Sequence, residues 1–149
     1  MLRIYLDNCC YNRPYDDQSQ IMVNLEAQAK LHIQEQIRSG KYELVASDML
    51  NYEIHQSPYE LREKMIADFV RDNARYYVGS ERSDLVEQKA NEIMETGIKY
   101  KDACHIASAI IADCDYFIST DYRLLRYVSD KIKIVNPVDF IREEEETHE

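Results

Sequence analysis

The chain has 149 residues, a formal net charge of −10 and a hydrophobic content of 45%. This length and composition are typical of one compact domain with its own core, and they exclude collagen-like, low-complexity and disordered chains. The negative charge excludes a protein that holds nucleic acid by bulk charge. Because no apolar run approaches the ~18 residues that cross a bilayer and the first residues do not resemble a signal peptide, we expect a cytoplasmic protein without a membrane partner.

The acidic residues are unevenly distributed along the chain. Five of them lie within the last seven residues, at Glu143, Glu144, Glu145, Glu146 and Glu149. A run of like charges of this kind is typical of a solvated extension. We therefore predict one domain over residues 1–142 and an acidic tail over residues 143–149.

Hydrophobic periodicity predicts strands that alternate with helices. The predicted strands are residues 2–6, 42–46, 116–119 and 132–135. The predicted helices include residues 21–37, 61–70, 85–94 and 102–112, with shorter helices after Ser47-Asp48 and from Tyr122 to Val128. This order favours an α/β fold: a single domain with a central, largely parallel sheet of about four strands, flanked by helices.

Four carboxylates are expected at one edge of this sheet. Asp7 directly follows the first strand, and Asp121 comes just after the third. Glu53 lies early in the helix that leaves the second strand, and Asp102 begins the helix that precedes the third. Each acid alone is also explained as a turn former or as a first-turn helix residue. Because open parallel sheets bind ligands beyond the carboxyl ends of their strands, the shared edge favours a functional site.

Carboxylates gathered in one place repel each other and raise each other's pKa values, a cost that a bound cation relieves. Ligands that are all oxygen suit hard ions such as Mg²⁺ or Mn²⁺. Two such ions can activate a water and stabilise the leaving oxygen in phosphodiester hydrolysis. The pattern therefore favours a metal-dependent hydrolase of phosphodiesters.

Four short segments resemble the acidic motifs of PIN domains, and their order and spacing match from Leu2 to Ile141. They are Ile4–Asn8, Asn51–Ile54, Lys101–Ala109 and Phe117–Asp121. The resemblance implies a PIN-like ribonuclease of the prokaryotic type that uses Mg²⁺ or Mn²⁺. It further implies a homodimer and, for a toxin-type member, an antitoxin partner. The catalytic metal ligands that it implies are Asp7, Glu53, Asp102 and Asp121, with Ser119 as a supporting hydroxyl.

Other residues near the motifs are candidates for supporting roles. PIN domains commonly carry Thr or Ser after the first Asp, whereas this chain has Asn8, whose amide can hydrogen-bond a carboxylate or a metal-bound water. The candidate RNA contacts are Arg13, Lys99, Lys101 and Arg123, although solvated surface bases would explain each of them equally well. Tyr11 and Tyr122 are candidates for base stacking, and His105 is expected to be a hydrogen-bonded core histidine.

Several other classes fit less well. The four cysteines have no zinc-ligand spacing and are expected to be reduced thiols, and nothing beyond the presence of His55 and His105 supports a cysteine nucleophile. An Asp-nucleophile phosphatase would need a second acid where Cys9 stands, and a receiver domain would need adjacent acids at Asp7 and Asn8. The isolated glycines form no phosphate-binding loop. The remaining alternative is a catalytically silent PIN-like scaffold that binds RNA or a protein.

Overall fold

The computed structural model describes residues 1–147. The strands of this part of the chain are β1 (Leu2–Leu6), β2 (Tyr42–Ser47), β3 (Ala74–Val78), β4 (Tyr116–Ile118) and β5 (Lys133–Val135). The α-helices are α1 (Asn8–Asn12), α2 (Ile21–Arg38), α3 (Asp48–Ile54), α4 (Glu60–Asn73), α5 (Ser83–Met94), α6 (Tyr100–Ile111), α7 (Tyr122–Leu125) and α8 (Pro137–Thr147). Short 3-10 turns occur at Arg13–Tyr15 and Ser80–Arg82.

The strands form one parallel sheet in the order β3-β2-β1-β4-β5. This confirms the predicted α/β class and the central parallel sheet flanked by helices, but the number of strands is five rather than about four. The strand that the sequence did not predict is β3, which pairs with β2 from Ala74 to Val78. Its middle residues are exposed at the sheet edge, so no alternation of apolar and polar residues marks it as a strand.

The core lies between the central strands and the helices that cover them. In β1 the side chains of Ile4, Tyr5 and Leu6 are fully buried. Helix α6 is buried on nearly all sides, with every residue from 103 to 109 inaccessible to solvent or almost so. Because small residues dominate this helix, it can pack closely on the sheet, and its first turn reaches the carboxyl edge of the strands.

Helix α8 passes through residue 142 without a break and continues to Thr147. Within the predicted acidic tail, Glu143 pairs with Lys133 at 2.8 Å and Glu144 is only 9% exposed. These two side chains are therefore packed against the domain rather than solvated, whereas Glu145 and Glu146 are exposed. Residues 148–149 of the predicted tail lie outside the described residues.

The cysteines are free thiols, as expected, and three of them are buried. Within residues 1–147, no helix combines the length and the apolar character that a membrane crossing requires.

Candidate functional site

Asp7 occupies the point where β1 ends and α1 begins. Its carboxylate caps α1 by accepting a hydrogen bond from the backbone N–H of Asn8 at 2.8 Å, and it also accepts one from the Ser119 hydroxyl at 2.9 Å. The Cys9 thiol lies 3.3 Å from the same carboxylate. The side chain is buried, with 5% of the residue exposed. The sequence predicts a turn here, and the structure instead begins a short helix with Asp7 as its N-cap.

Ser119 joins the ends of two neighbouring strands. Its hydroxyl donates to Asp7 at the end of β1 and accepts a hydrogen bond at 3.0 Å from the backbone N–H of Asp121, just after β4. Asp121 then caps α7 by accepting from the backbone N–H of Arg123 at 2.9 Å, and it pairs with the guanidinium of Arg123 at 3.2 Å. Partial burial opposes ionisation, but the hydrogen bonds and charge of Arg123, together with Lys99, lower the pKa of Asp121.

Glu53 reaches the site from α3, which Ser47 caps through a hydrogen bond from the backbone N–H of Leu50 to its hydroxyl. The Glu53 carboxylate accepts a hydrogen bond from His105 Nε2 at 2.8 Å. Partial burial acts to raise the pKa of Glu53, but the hydrogen bond and charge of His105, the charge of Lys101 and a hydrogen bond from Asn8 together lower it.

His105 links Glu53 to the centre of the core through a chain of buried hydrogen bonds. Its Nδ1 lies 2.6 Å from the Tyr5 hydroxyl, which lies 2.6 Å from the Ser47 hydroxyl. Because a carboxylate only accepts, Nε2 donates to Glu53, and the neutral ring therefore accepts from Tyr5 at Nδ1. All three side chains in the chain of donors are inaccessible to solvent. The expectation of a hydrogen-bonded core histidine is confirmed, with a candidate site carboxylate as one partner.

Asp102 lies in the first turn of α6 and differs from the other three acids. Within residues 1–147, its carboxylate takes part in no hydrogen bond or ion pair, although it is half-buried. Burial raises the pKa of Asp102, the negative charges of Asp7, Asp121 and Glu53 raise it further, and the charge of His105 lowers it in part. A carboxylate with no hydrogen-bond donor and several acidic neighbours is the group in this site that would gain most from a nearby cation.

The structure thus brings Asp7, Glu53, Asp102 and Asp121 to the same end of the sheet, where the other three act electrostatically on Asp102. In this arrangement, no group of three or more His, Cys, Asp or Glu side chains among residues 1–147 is placed so that it could hold a metal ion. Three of the acids instead accept hydrogen bonds from other groups of the protein. Asp7 accepts from Ser119 and from the backbone of Asn8, Glu53 accepts from His105, and Asp121 accepts from Arg123.

The candidate RNA contacts divide into two groups. Lys99 and Lys101 line a cleft of about 640 Å³ that also contains Asn8, Glu53 and Asp102. Arg123 pairs with Asp121 at the same end of the sheet.

Arg13, by contrast, forms ion pairs with Asp16 and Glu26, each at 3.1 Å. Tyr11 is fully buried, so the hypothesis that it stacks on a base is wrong, whereas Tyr122 is 63% exposed.

Sequence reasoning did not predict the far wall of this cleft. This wall is formed by the segment before α4 and by the first turn of α4, which contribute Tyr59 and Arg62 to the lining. No motif marks these residues, because the position of this segment depends on how α3 and α4 pack. A basic residue three positions after a tyrosine was the available signal, and it is too common to be informative alone.

The sequence matches no family model. It also matches no curated protein. The fold, however, is similar to a chain in the crystal structure of VapBC2 from Rickettsia felis bound to a DNA fragment from their promoter, with a TM-score of 0.59 and 10% sequence identity. The similarity covers 91% of this chain and 98% of that chain. At this identity the likeness concerns the fold alone. The protein therefore has a PIN-like α/β fold built on a parallel five-stranded sheet.

Proposed function

We propose that the protein is a Mg²⁺- or Mn²⁺-dependent endoribonuclease that hydrolyses phosphodiester bonds in single-stranded RNA. The observation that carries the proposal is Asp102, a half-buried carboxylate without a hydrogen-bond donor among residues 1–147 and beside three further acids. The PIN-like fold and the four acidic motifs support the same activity.

The donor set fits a hard divalent cation by its chemistry, since carboxylate oxygens and an Asn amide are the ligands that Mg²⁺ and Mn²⁺ prefer. Asp7, Glu53, Asp102 and Asp121 would hold the cation, and because no three of them are placed to do so in the present arrangement, their side chains would have to move when it binds. Bound ions of this kind activate a water and stabilise the leaving oxygen of a phosphodiester. Because Glu53 and Asp121 already accept hydrogen bonds from His105 and Arg123, cation binding competes with these contacts.

The chain's own residues orient this site. Ser119 holds Asp7 and the backbone of Asp121 in a common frame, and His105 holds Glu53. Lys99 and Lys101 line the cleft, where they would attract the phosphates of a substrate. We include in the proposal a cytoplasmic location, a homodimer and a toxin-type role with an antitoxin partner. The similarity to VapBC2, which was crystallised bound to promoter DNA, is in keeping with a partner protein.

The test is cleavage of a fluorescent single-stranded RNA by the purified protein with Mn²⁺, with Mg²⁺ and with a chelator. We expect metal-dependent endonucleolytic cleavage that Asp102→Asn reduces at least a hundredfold, because this change keeps the shape of the side chain and removes its charge. Asp130→Asn is the matched control, since it removes an exposed carboxylate from a loop. Cleavage that survives both chelator and Asp102→Asn contradicts the proposal. Binding of RNA without cleavage under any metal favours the catalytically silent scaffold.

A further inference from the structure

The cleft beside the acids combines three features that recognise a nucleotide. It holds about 640 Å³, within the range of roughly 300–1,000 Å³ that is usual for small-molecule sites. Its lining includes the positive side chains of Arg62, Lys99 and Lys101 but the negative side chains of only Glu53 and Asp102. In a chain with a formal charge of −10, this local excess of positive charge favours an anionic ligand.

The third feature is a cluster of aromatic rings around Arg62, which lines the cleft together with Tyr59. The guanidinium carbon of Arg62 lies 4.3 Å from the ring centre of Tyr59 and 5.0 Å from that of Tyr15. Arg62 also donates a hydrogen bond to the backbone carbonyl of Tyr15, at 3.4 Å. The guanidinium therefore contacts both rings, while Tyr59 remains 58% exposed. Stacked planes of this type bind bases through their faces.

We propose that Tyr59 and Arg62 form a base-stacking subsite for a nucleotide of single-stranded RNA next to the scissile phosphate, and that Lys99 and Lys101 bind its phosphates. This inference rests on the proposed function and names how the same site recognises its substrate. A base can reach the face of Tyr59 only when it is unstacked from its neighbours, so the subsite selects single strands over duplexes. Because every base has such a face, the selection is largely independent of sequence.

The direct test is binding of a short fluorescent single-stranded RNA, measured by anisotropy in chelator, where the proposed activity is silent. We expect Tyr59→Leu to weaken binding about tenfold and Tyr59→Phe to leave it nearly unchanged. Tyr76→Leu is the matched control, because Tyr76 is also exposed and stacked on an arginine, with the Arg3 guanidinium 3.6 Å from its ring centre, but lies on the edge strand outside the cleft. Equal losses for Tyr59→Leu and Tyr76→Leu would overturn the subsite.

Arg62 provides a second, independent readout. Arg62→Gln should weaken binding with little change in the slope of log Kd against log salt, because Arg62 is assigned to the base and not to a phosphate. Lys99→Gln should reduce that slope by about one, which corresponds to the loss of one phosphate contact. A duplex of the same sequence should bind more weakly than the single strand, and Tyr59→Leu should narrow that difference.

The two proposals fail separately. Failure to bind RNA in chelator contradicts the subsite even if the protein cleaves RNA. If Tyr59→Leu weakens RNA binding but the wild-type protein cleaves no RNA with any metal, the result supports the subsite and contradicts the proposed nuclease activity.

Discussion

His105 Nε2 lies 2.8 Å from Glu53 Oε1, so a fully buried imidazole holds one of the four candidate site acids. The other ring nitrogen is hydrogen-bonded to the Tyr5 hydroxyl, which is itself hydrogen-bonded to the Ser47 hydroxyl at the start of α3. The helix that carries Glu53 and the helix that carries His105 are thus connected through β1 and β2. The orientation of Glu53 depends on this connection rather than on α3 alone.

Replacing His105 should destabilise the metal-free protein in a pH-dependent way. Burial opposes protonation, but Glu53, Asp7 and Asp102 together raise the pKa of His105, and the pKa of Glu53 is lowered. The stabilisation from His105 is complete below its unfolded pKa of about 6.5 and is lost as pH rises through the folded pKa. The stabilisation from Glu53 is present above about pH 4.5 and is lost as pH falls through the folded pKa of Glu53. The pair therefore contributes most between about pH 4.5 and 6.5.

We expect His105→Gln to lower the free energy of unfolding by about 1–3 kcal/mol near pH 5.5, and by less at pH 8.5. Chemical denaturation in chelator measures both values. The control is His55→Gln, which removes an exposed histidine that pairs with Glu63 at 2.8 Å and should cost less than about 1 kcal/mol. An effect of His105→Gln that is constant with pH, or equal to that of His55→Gln, would count against the buried pair.

Asp102→Asn should stabilise the metal-free protein at neutral pH. Burial and the charges of Asp7 and Asp121 raise the pKa of Asp102, so ionising this group costs stability as pH rises through its unfolded and then its folded pKa. The gain should be on the order of 0.5 kcal/mol, because the group is half-exposed, and should vanish below about pH 4.

Thermal unfolding at neutral and acidic pH tests this, with the other acids as a contrast. Asp7→Asn and Asp121→Asn also remove like charge, but both carboxylates cap helices and accept further hydrogen bonds, so we expect no gain from them. A loss of stability in Asp102→Asn at pH 7 would show that its carboxylate is not under net repulsion.

Manganese should stabilise the wild-type protein and have little effect on the site variants. A ligand that binds only the folded state stabilises it by RT ln(1 + [L]/Kd), which is about 2.7 kcal/mol at a hundredfold excess over Kd. Differential scanning calorimetry over a range of Mn²⁺ concentrations measures this shift for wild type, Asp7→Asn, Asp102→Asn and the control Asp130→Asn. Only the control should respond as the wild type does. Equal shifts in all four proteins would place the bound manganese elsewhere.

The sequence predicted the position of a site residue where that position depends only on the end of a neighbouring strand. Asp7 follows β1 directly and Asp121 comes shortly after β4. Because the carboxyl ends of parallel strands meet at one edge of a sheet, the proximity of these two acids could be predicted. The bond between His105 and Glu53 could not, because the residues are 52 positions apart and periodicity marks His105 only as a core residue.

Strand β3 and the cleft wall were missed for a related reason. Strand β3 is held by backbone hydrogen bonds to β2 at the sheet edge, and these leave no hydrophobic pattern. The stack of Tyr59 and Arg62 with Tyr15 joins a loop to α4 through tertiary packing alone. The burial of Glu144 likewise depends on which face of α8 packs against the domain. The run of acidic residues in the sequence does not predict that face.

The measurement that tests the central claim most directly is the anomalous difference density of a crystal soaked in Mn²⁺. We predict a peak bounded by the carboxylates of Asp7, Glu53, Asp102 and Asp121, and its absence from a crystal of Asp102→Asn soaked in the same way. A manganese peak only at other carboxylates, or no peak in the wild type at millimolar Mn²⁺, would contradict the claim that these four acids form a metal site.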